Sequence, residues 1–378
     1  MFTDLKIPRD YKSHKEELCM SRGLKKYFPM IRNRQEVLTR IQKNKRLKEL
    51  YESWKEEQQE EFLKIVTGVK GIKMLYDSFF KEIMNPEYDP ERLATFLTLL
   101  LGKKVKILKV LPNDSTRIAD ETSLLIMDIV VELEDGSIAN IEVQKIGYLF
   151  PGQRSACYSA DLLLRQYKRV RGEKAENFHY KDIKNVYTIV FFEKSPKEFK
   201  NFPNTYCHFF EQKSDSGLEL DLLQKYLFIP LDIFKKNLQN KGIQSKLEAW
   251  FTFLAIDDIE IIIQLIEKHP EFRVMYEDVY NICQNVERVM EMFSKELQKL
   301  DRNTVQYMID DMQDTIDAQQ NTIQDQQSTI QDQEEKLKQG IQNAVSIMRE
   351  VNLPESKILE KLQSKYELTE EQAREYLL

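Results

Sequence analysis

The stretch that most restricts the fold is Leu124-Leu125-Ile126-Met127-Asp128-Ile129-Val130-Val131, an apolar run interrupted by one aspartate. A tight turn at Asp135-Gly136 and the phrase Ile141-Glu142-Val143-Gln144 follow it. Asp-Gly between strand-like segments is a strong hairpin signal. Residues 128 and 142 are equidistant from position 135, so folding the ribbon there sets Asp128 opposite Glu142. Directly opposed residues of an antiparallel pair carry Cβ atoms roughly 4.5 to 5.5 Å apart on one sheet face. Alternation then puts Gln144 on the face of Glu142 and turns Ile141 and Val143 to the other. A carboxylate in a strand buried on both faces loses its hydration, and it needs a partner or a shifted pKa. Two arrangements meet that need. One is a structural pair bridged by a buried arginine or lysine. The other is a shared divalent cation, since Mg2+ takes oxygen ligands and is held by one or two carboxylates together with waters and substrate oxygens.

The rest of the chain bounds the setting of this ribbon. At 378 residues it exceeds one average domain, which predicts a core domain with helical additions. Charged residues make up 31% and hydrophobic ones 42%, and no apolar run approaches the roughly 20 residues that span a bilayer. The start, Met1-Phe2-Thr3-Asp4-Leu5-Lys6, lacks a basic segment followed by an apolar one, so a cytoplasmic protein without a membrane partner is expected. Cys19, Cys157, Cys207 and Cys283 are too scattered for a disulfide framework or a zinc site, and the four histidines show no ligand spacing either. Net charge is −6, yet the first sixty residues carry more Lys and Arg than Asp and Glu, so a basic face coexists with an acidic whole.

Periodicity divides the chain into a helical prefix over 1–70, a core over 71–235, a helical region over 236–300, a coiled coil over 301–340 and a small helical tail over 341–378. Within the prefix, Val37, Ile41, Leu47, Leu50 and Trp54 predict one helix from Arg34 to about Ile65. In the core, helices are expected at Ile72–Met84 and Pro90–Leu101. Strands are expected at Val105–Leu111, Leu124–Leu133 and Ile138–Lys145, followed by a helix at Pro151–Val170. Further strands are expected at Val186–Phe192, Cys207–Gln212 and Leu218–Phe228. That order predicts an α/β mixed sheet flanked by helices. Helical pattern returns from Lys246 to Leu300. Val305, Ile309, Met312, Ile316, Ile323, Ile330 and Leu337 then fall on a heptad, with Gln319, Gln326 and Gln333 at the intervening core positions. This predicts a weak parallel homodimer through a coiled coil, against the alternative of a variable Gln-rich linker. The tail reads as three short helices, Ile341–Glu350, Glu355–Lys365 and Glu370–Leu377.

An Asp in one strand, a hairpin, and an acid-x-polar triplet in the next strand resembles the core of the PD-(D/E)XK nucleases. The longer phrase from Ser123-Leu124-Leu125-Ile126-Met127-Asp128 through Gln166-Tyr167 resembles the Rpn-type, transposase-like members of that superfamily, also described as recombination-promoting nucleases. The resemblance runs from about Leu75 to Phe234. It implies a PD-(D/E)XK nuclease-like fold and a metal-dependent DNA endonuclease that promotes recombination. Asp128, Glu142 and the Val143 carbonyl would hold Mg2+ or Mn2+, and Gln144 would orient water. In the general superfamily the triplet ends in Lys; Gln144 can hydrogen-bond a water but brings no charge. The Rpn-type group is similar in carrying Gln. The same resemblance makes Asp77, on the first core helix, an additional acid, although an i,i+4 ion pair with Lys81 is its plain local reading. On the helix after the hairpin, Arg154, Tyr158 and Arg165 fall near one face and would contact DNA phosphates; the alternative is a solvated basic face. The alternative function is a catalytically inactive DNA-binding or assembly protein that retains the nuclease scaffold.

Overall fold

The computed structural model describes residues 23–111, 128–144 and 151–377, apart from the side chains of 151, 299–311, 313–314 and 317–318. The expected strand residues Leu124, Leu125, Ile126, Met127 and Lys145 lie outside it, as do the side chains of Val305 and Ile309. Three successive strands, β1 (Ile107–Val110), β2 (Ile129–Leu133) and β3 (Ile138–Gln144), pair antiparallel. Ile129 stands opposite Ile141 and Glu132 opposite Ile138, which is the register the Asp-Gly turn predicts. In that turn Gly136 has φ +84°, a left-handed conformation cheap only for glycine. The Gly136 N–H donates to Leu133 O at 2.9 Å, and the Asp135 carboxylate accepts from Ser137 N at 2.9 Å.

Beyond β3 the chain forms a long helix and returns as a parallel strand, β4 (Val186–Phe192). β5 (His208–Phe210) and β6 (Gln224–Pro230) complete a sheet of order β1-β2-β3-β4-β6-β5, with β6 parallel to β4 and β5 antiparallel at the edge. Every residue of β4 is buried, as a central parallel strand covered on both faces requires. Side chains separate by parity. Ile129, Val131, Ile141, Ile189 and Phe191 enter the main core, while Val130, Ile138 and Val186 pack under Tyr158 and Leu162 on the opposite face.

Helices cover the main-core face. The prefix supplies α1 (Arg34–Lys43), α2 (Lys45–Glu52) and α3 (Glu56–Val66), and the core supplies α4 (Asp77–Ile83) and α5 (Pro90–Leu101). Asp89 caps α5 by accepting from Arg92 N at 3.0 Å, Pro90 sits at its first position and Gly102 ends it at φ +66°. Tyr158 and Leu162 belong to α6 (Pro151–Lys174), and a single turn α7 (Lys197–Lys200) follows β4. After β6 come α8 (Leu231–Lys241), α9 (Lys246–Ala255), α10 (Ile259–Lys268), α11 (Glu271–Ile282) and the long α12 (Val286–Glu350). Phe96 of α5 stacks on Phe191 of β4 at 5.7 Å and on Trp250 of α9 at 5.0 Å. Trp54 meets Phe62 at 5.3 Å and Phe293 at 5.1 Å. One hydrophobic cluster therefore joins prefix, sheet and following helices, and truncating a residue such as Phe96 to alanine costs about 3–5 kcal/mol.

The chain divides into two compact units, residues 1–307 and 308–378. In the second, Ile341 and Val345 at the end of α12 pack with Ile358 and Leu362 of α13 (Glu355–Tyr366) and Ala373 of α14 (Glu370–Glu375). Met312, Ile316, Ile323, Ile330 and Leu337 are each more than half exposed along α12. No helix among the described residues is long and apolar enough to cross a membrane.

Several boundaries differ from expectation. The single prefix helix is three, because the Asn44 side chain accepts from Leu47 N at 3.3 Å and starts a new helix, and Ser53-Trp54-Lys55 break the next with Trp54 turned inward. The helix expected from Ile72 starts at Asp77, whose N–H donates to Glu296 of α12 at 3.1 Å. The strand expected from Leu218 starts at Gln224. The alternating Leu218, Leu220 and Leu222 are exposed, and Asp221 accepts from Leu223 N at 3.0 Å, a local bond that holds Leu223 at φ +68°. The expected separate helix Ile341–Glu350 is the end of α12, since Gly340 alone costs a helix only about 1 kcal/mol.

Candidate active site

The acids meet at the carboxyl end of the parallel β3 and β4, where ligands of open α/β sheets bind. Asp128 lies immediately before β2, with Glu142 opposite it in the register. Its backbone N–H points to Glu142 Oε1 at 3.3 Å. Asp128 Oδ2 accepts from Val143 N at 2.8 Å. The N–H and C=O of one strand residue leave by the same side, so the Val143 carbonyl also faces the Asp128 side. Gln144 shares the parity of Glu142. It is buried, and neither its amide nitrogen nor its amide oxygen has a hydrogen-bond partner among the described residues. Buried amides are rarely left so, and this one has room in its bonding for a polar occupant.

The neighbouring helix adds what local spacing does not reveal. Lys81 of α4 places Nζ 3.2 Å from Asp77 Oδ1 and 3.0 Å from Asp128 Oδ1. The i,i+4 pair therefore exists, and its ammonium is shared with the strand acid. Asp77 also acts on Asp128, raising its proton affinity. Burial, then the nearby Asp77 charge, push Asp128 up to about 6, against the pull of Lys81. Glu142 is raised well above the usual carboxylate range by burial and by Asp128; Asn140 and Arg154 relieve it only in part. Burial works against the charge of Lys81, but Asp128 and Asp77 outweigh it and raise the pKa of the ammonium.

Arg154 and Tyr158 stand on the first turns of α6. Arg154 Nε donates to Tyr158 Oη at 3.0 Å, and its guanidinium carbon lies 5.4 Å from the ring centre. Tyr158 is fully buried, and its hydroxyl is pushed up to about 12 by burial first and by Glu142 next. Both side chains thus feel the acids. Arg165 is elsewhere, about 16 Å further along the helix at 1.5 Å per residue. It pairs with the buried Asp161 at 3.0 Å and lines a cavity of about 170 Å3 with Leu162, Gln166 and Arg169.

A second buried carboxylate in β2 provides a contrast. Glu132 is bound by Arg169 at 2.5 Å and by Lys109 at 3.2 Å. That is the structural ion pair that the alternative reading describes, found four residues from Asp128. Asp128 is instead paired with Lys81, and Arg154 relieves Glu142 only in part, so burial still raises the proton affinity of both acids. Among the described residues, no group of three or more His, Cys, Asp and Glu side chains stands ready to hold a metal, so Asp77, Asp128 and Glu142 do not converge as a preformed cage. The donors present, two carboxylates and a carbonyl beside a buried unpartnered amide, fit a hard cation with an incomplete protein shell.

A mixed sheet with an acid before one strand and an acid-x-polar triplet at the end of the next defines a nuclease-type core. The family model of PD-(D/E)XK nuclease family transposases matches residues 74–311, and the chain belongs to that family. No curated protein and no solved structure matches it.

Proposed function

We propose that the protein is a metal-dependent DNA endonuclease that promotes recombination. The observation that carries the reading is the meeting of Asp128 and Glu142 at the end of β3, where both keep a raised proton affinity although Lys81 lies on Asp128, as two buried carboxylates that lack sufficient positive charge do. Asp128, Glu142 and the Val143 carbonyl are the groups that would hold Mg2+ or Mn2+, with Asp77 as an additional acid. Such an ion, when bound, supplies Lewis acidity to a water and to the scissile phosphate. The chain's own residues supply the rest. Gln144 orients the attacking water through its buried amide, which has no partner among the described residues, and Arg154, steadied by Tyr158, faces the neighbouring phosphate. The products are those of hydrolysis: water adds across a P–O bond, leaving one phosphomonoester and one hydroxyl end. Arg165, committed to Asp161, is the weakest of the proposed DNA contacts.

Homodimerisation through α12 belongs to the same proposal. In a parallel, in-register pair the Ile316, Ile323, Ile330 and Leu337 layers meet their own kind, and Gln319, Gln326 and Gln333 meet as self-complementary amides. The competing reading, an inactive scaffold that binds DNA, draws support from the Lys81 ammonium already on Asp128. Plasmid nicking with Mg2+ separates them: the native chain nicks and a folded Glu142→Ala variant does not. Equal nicking by both would remove the site, and metal-independent DNA retention without nicking would favour the scaffold.

A further inference from the structure

We infer that Lys81 is a resident cation that a divalent ion must displace, so that metal loading and the position of this side chain form one switch; this rests on the metal reading above. Asp128 has two carboxylate oxygens, and both are engaged: Oδ2 by Val143 N at 2.8 Å and Oδ1 by Lys81 Nζ at 3.0 Å. The Val143 contact is backbone and is fixed by the strand register. The lysine contact is the one that can be exchanged.

Three features make Lys81 suited to leave. Its side chain is about a third exposed, at 31%, whereas that of Asp128 is 9% exposed, so the lysine is the more solvent-accessible partner of the pair. Its anchor on the other side, Asp77 at 3.2 Å, sits one turn away on the same helix, so rotation of the lysine stem alone moves the charge without moving α4. The helix itself is held in place independently, with Phe79, Phe80 and Ile83 in the main core and the Asp77 N–H on Glu296. A dication and an ammonium cannot both stay within contact of the same oxygen in a partly buried site, because their mutual repulsion is weakly screened there. With the ion absent, Lys81 offsets the repulsion among Asp77, Asp128 and Glu142. With the ion present, it is released toward solvent, on the side where a phosphate backbone would approach.

The exchange predicts opposite effects of one substitution on two measurements. Lys81→Met and Lys81→Gln should lower the melting temperature of the chain in EDTA, because the acids lose their cation. Both should bind Mg2+ in calorimetry without DNA about tenfold more tightly than the native chain, which corresponds to about 1.4 kcal/mol. Gln keeps a polar partner for Asp128, so agreement of the two variants excludes a mere loss of packing. Native affinity equal to or greater than that of both variants overturns the exchange, since the lysine then coexists with the ion or supports it. Absence of Mg2+ binding in all three chains overturns the metal reading, and the exchange with it.

Discussion

Asp128→Asn offers the sharpest physical test of the site, because the account predicts that removing a charge stabilises the metal-free protein. The carboxyl is raised from 3.8 to about 6, by burial first and Asp77 next. For a raised acid, the folded chain prefers the protonated form. Its stability contribution is whole below about 4, is lost as pH rises from there through about 6, and is a constant cost above. About two units at 1.36 kcal/mol each give a cost of about 3 kcal/mol at pH 8, falling to about 1 kcal/mol at pH 4.5. Asparagine mimics the protonated form and still accepts from Val143 N and Lys81, so it recovers most of that difference. Urea unfolding in EDTA should therefore show Asp128→Asn more stable than native at pH 8 by up to about 3 kcal/mol, with a smaller gap at pH 4.5. Saturating Mg2+ should close or reverse the gap by stabilising only the native chain. A variant destabilised at pH 8, or a difference that does not change with pH, would refute the reasoning: Asp128 would then be a favourable ion pair with Lys81, like Glu132 with Arg169.

Other consequences are independent of that substitution. Mg2+ binding near pH 6 should release protons, because Asp128, raised to about 6, gains charge on loading; the calorimetric enthalpy should depend on buffer ionisation heat, and less so at pH 8. Arg154→Ala should weaken DNA binding and its salt dependence and cost about 1 kcal/mol of stability, since the buried Tyr158 hydroxyl loses its donor. Arg165→Ala should change DNA binding little while costing about 3 kcal/mol by leaving the buried Asp161 without its arginine, and filter binding beside thermal melts distinguishes them. Ile323→Lys, in the middle of the exposed stripe of α12, should turn a dimer into a monomer in sedimentation while leaving the first unit folded.

How much of this was legible depended on whether the determining interaction was local. The register of Asp128 against Glu142 follows from one Asp-Gly turn, and alternation then fixes the faces of Gln144 and Val143. β4 was bounded correctly at Val186–Phe192 because a run buried on both faces has no ambiguity of period. The prefix was misread because apolar spacing continues through Asn44 while the cap does not, and the strand at Leu218 because alternation mimics a sheet where no neighbour exists. Within the site, i,i+4 spacing shows the Asp77–Lys81 pair, but the reach of Lys81 to Asp128 and of Glu296 to Asp77 are tertiary contacts that no local pattern encodes. Asn140, two residues before Glu142, shares its face by parity, but its part in easing the Glu142 carboxyl is visible only in the folded chain.

The central claim is that Asp128 and Glu142 hold one divalent ion together. Crystals grown with Mn2+ and measured at the manganese absorption edge test it directly. The account predicts a single anomalous peak within about 2.2 Å of oxygens from Asp128, Glu142 and the Val143 carbonyl, with Lys81 turned away. A map without that peak at saturating Mn2+, with the ammonium still on Asp128, would contradict it.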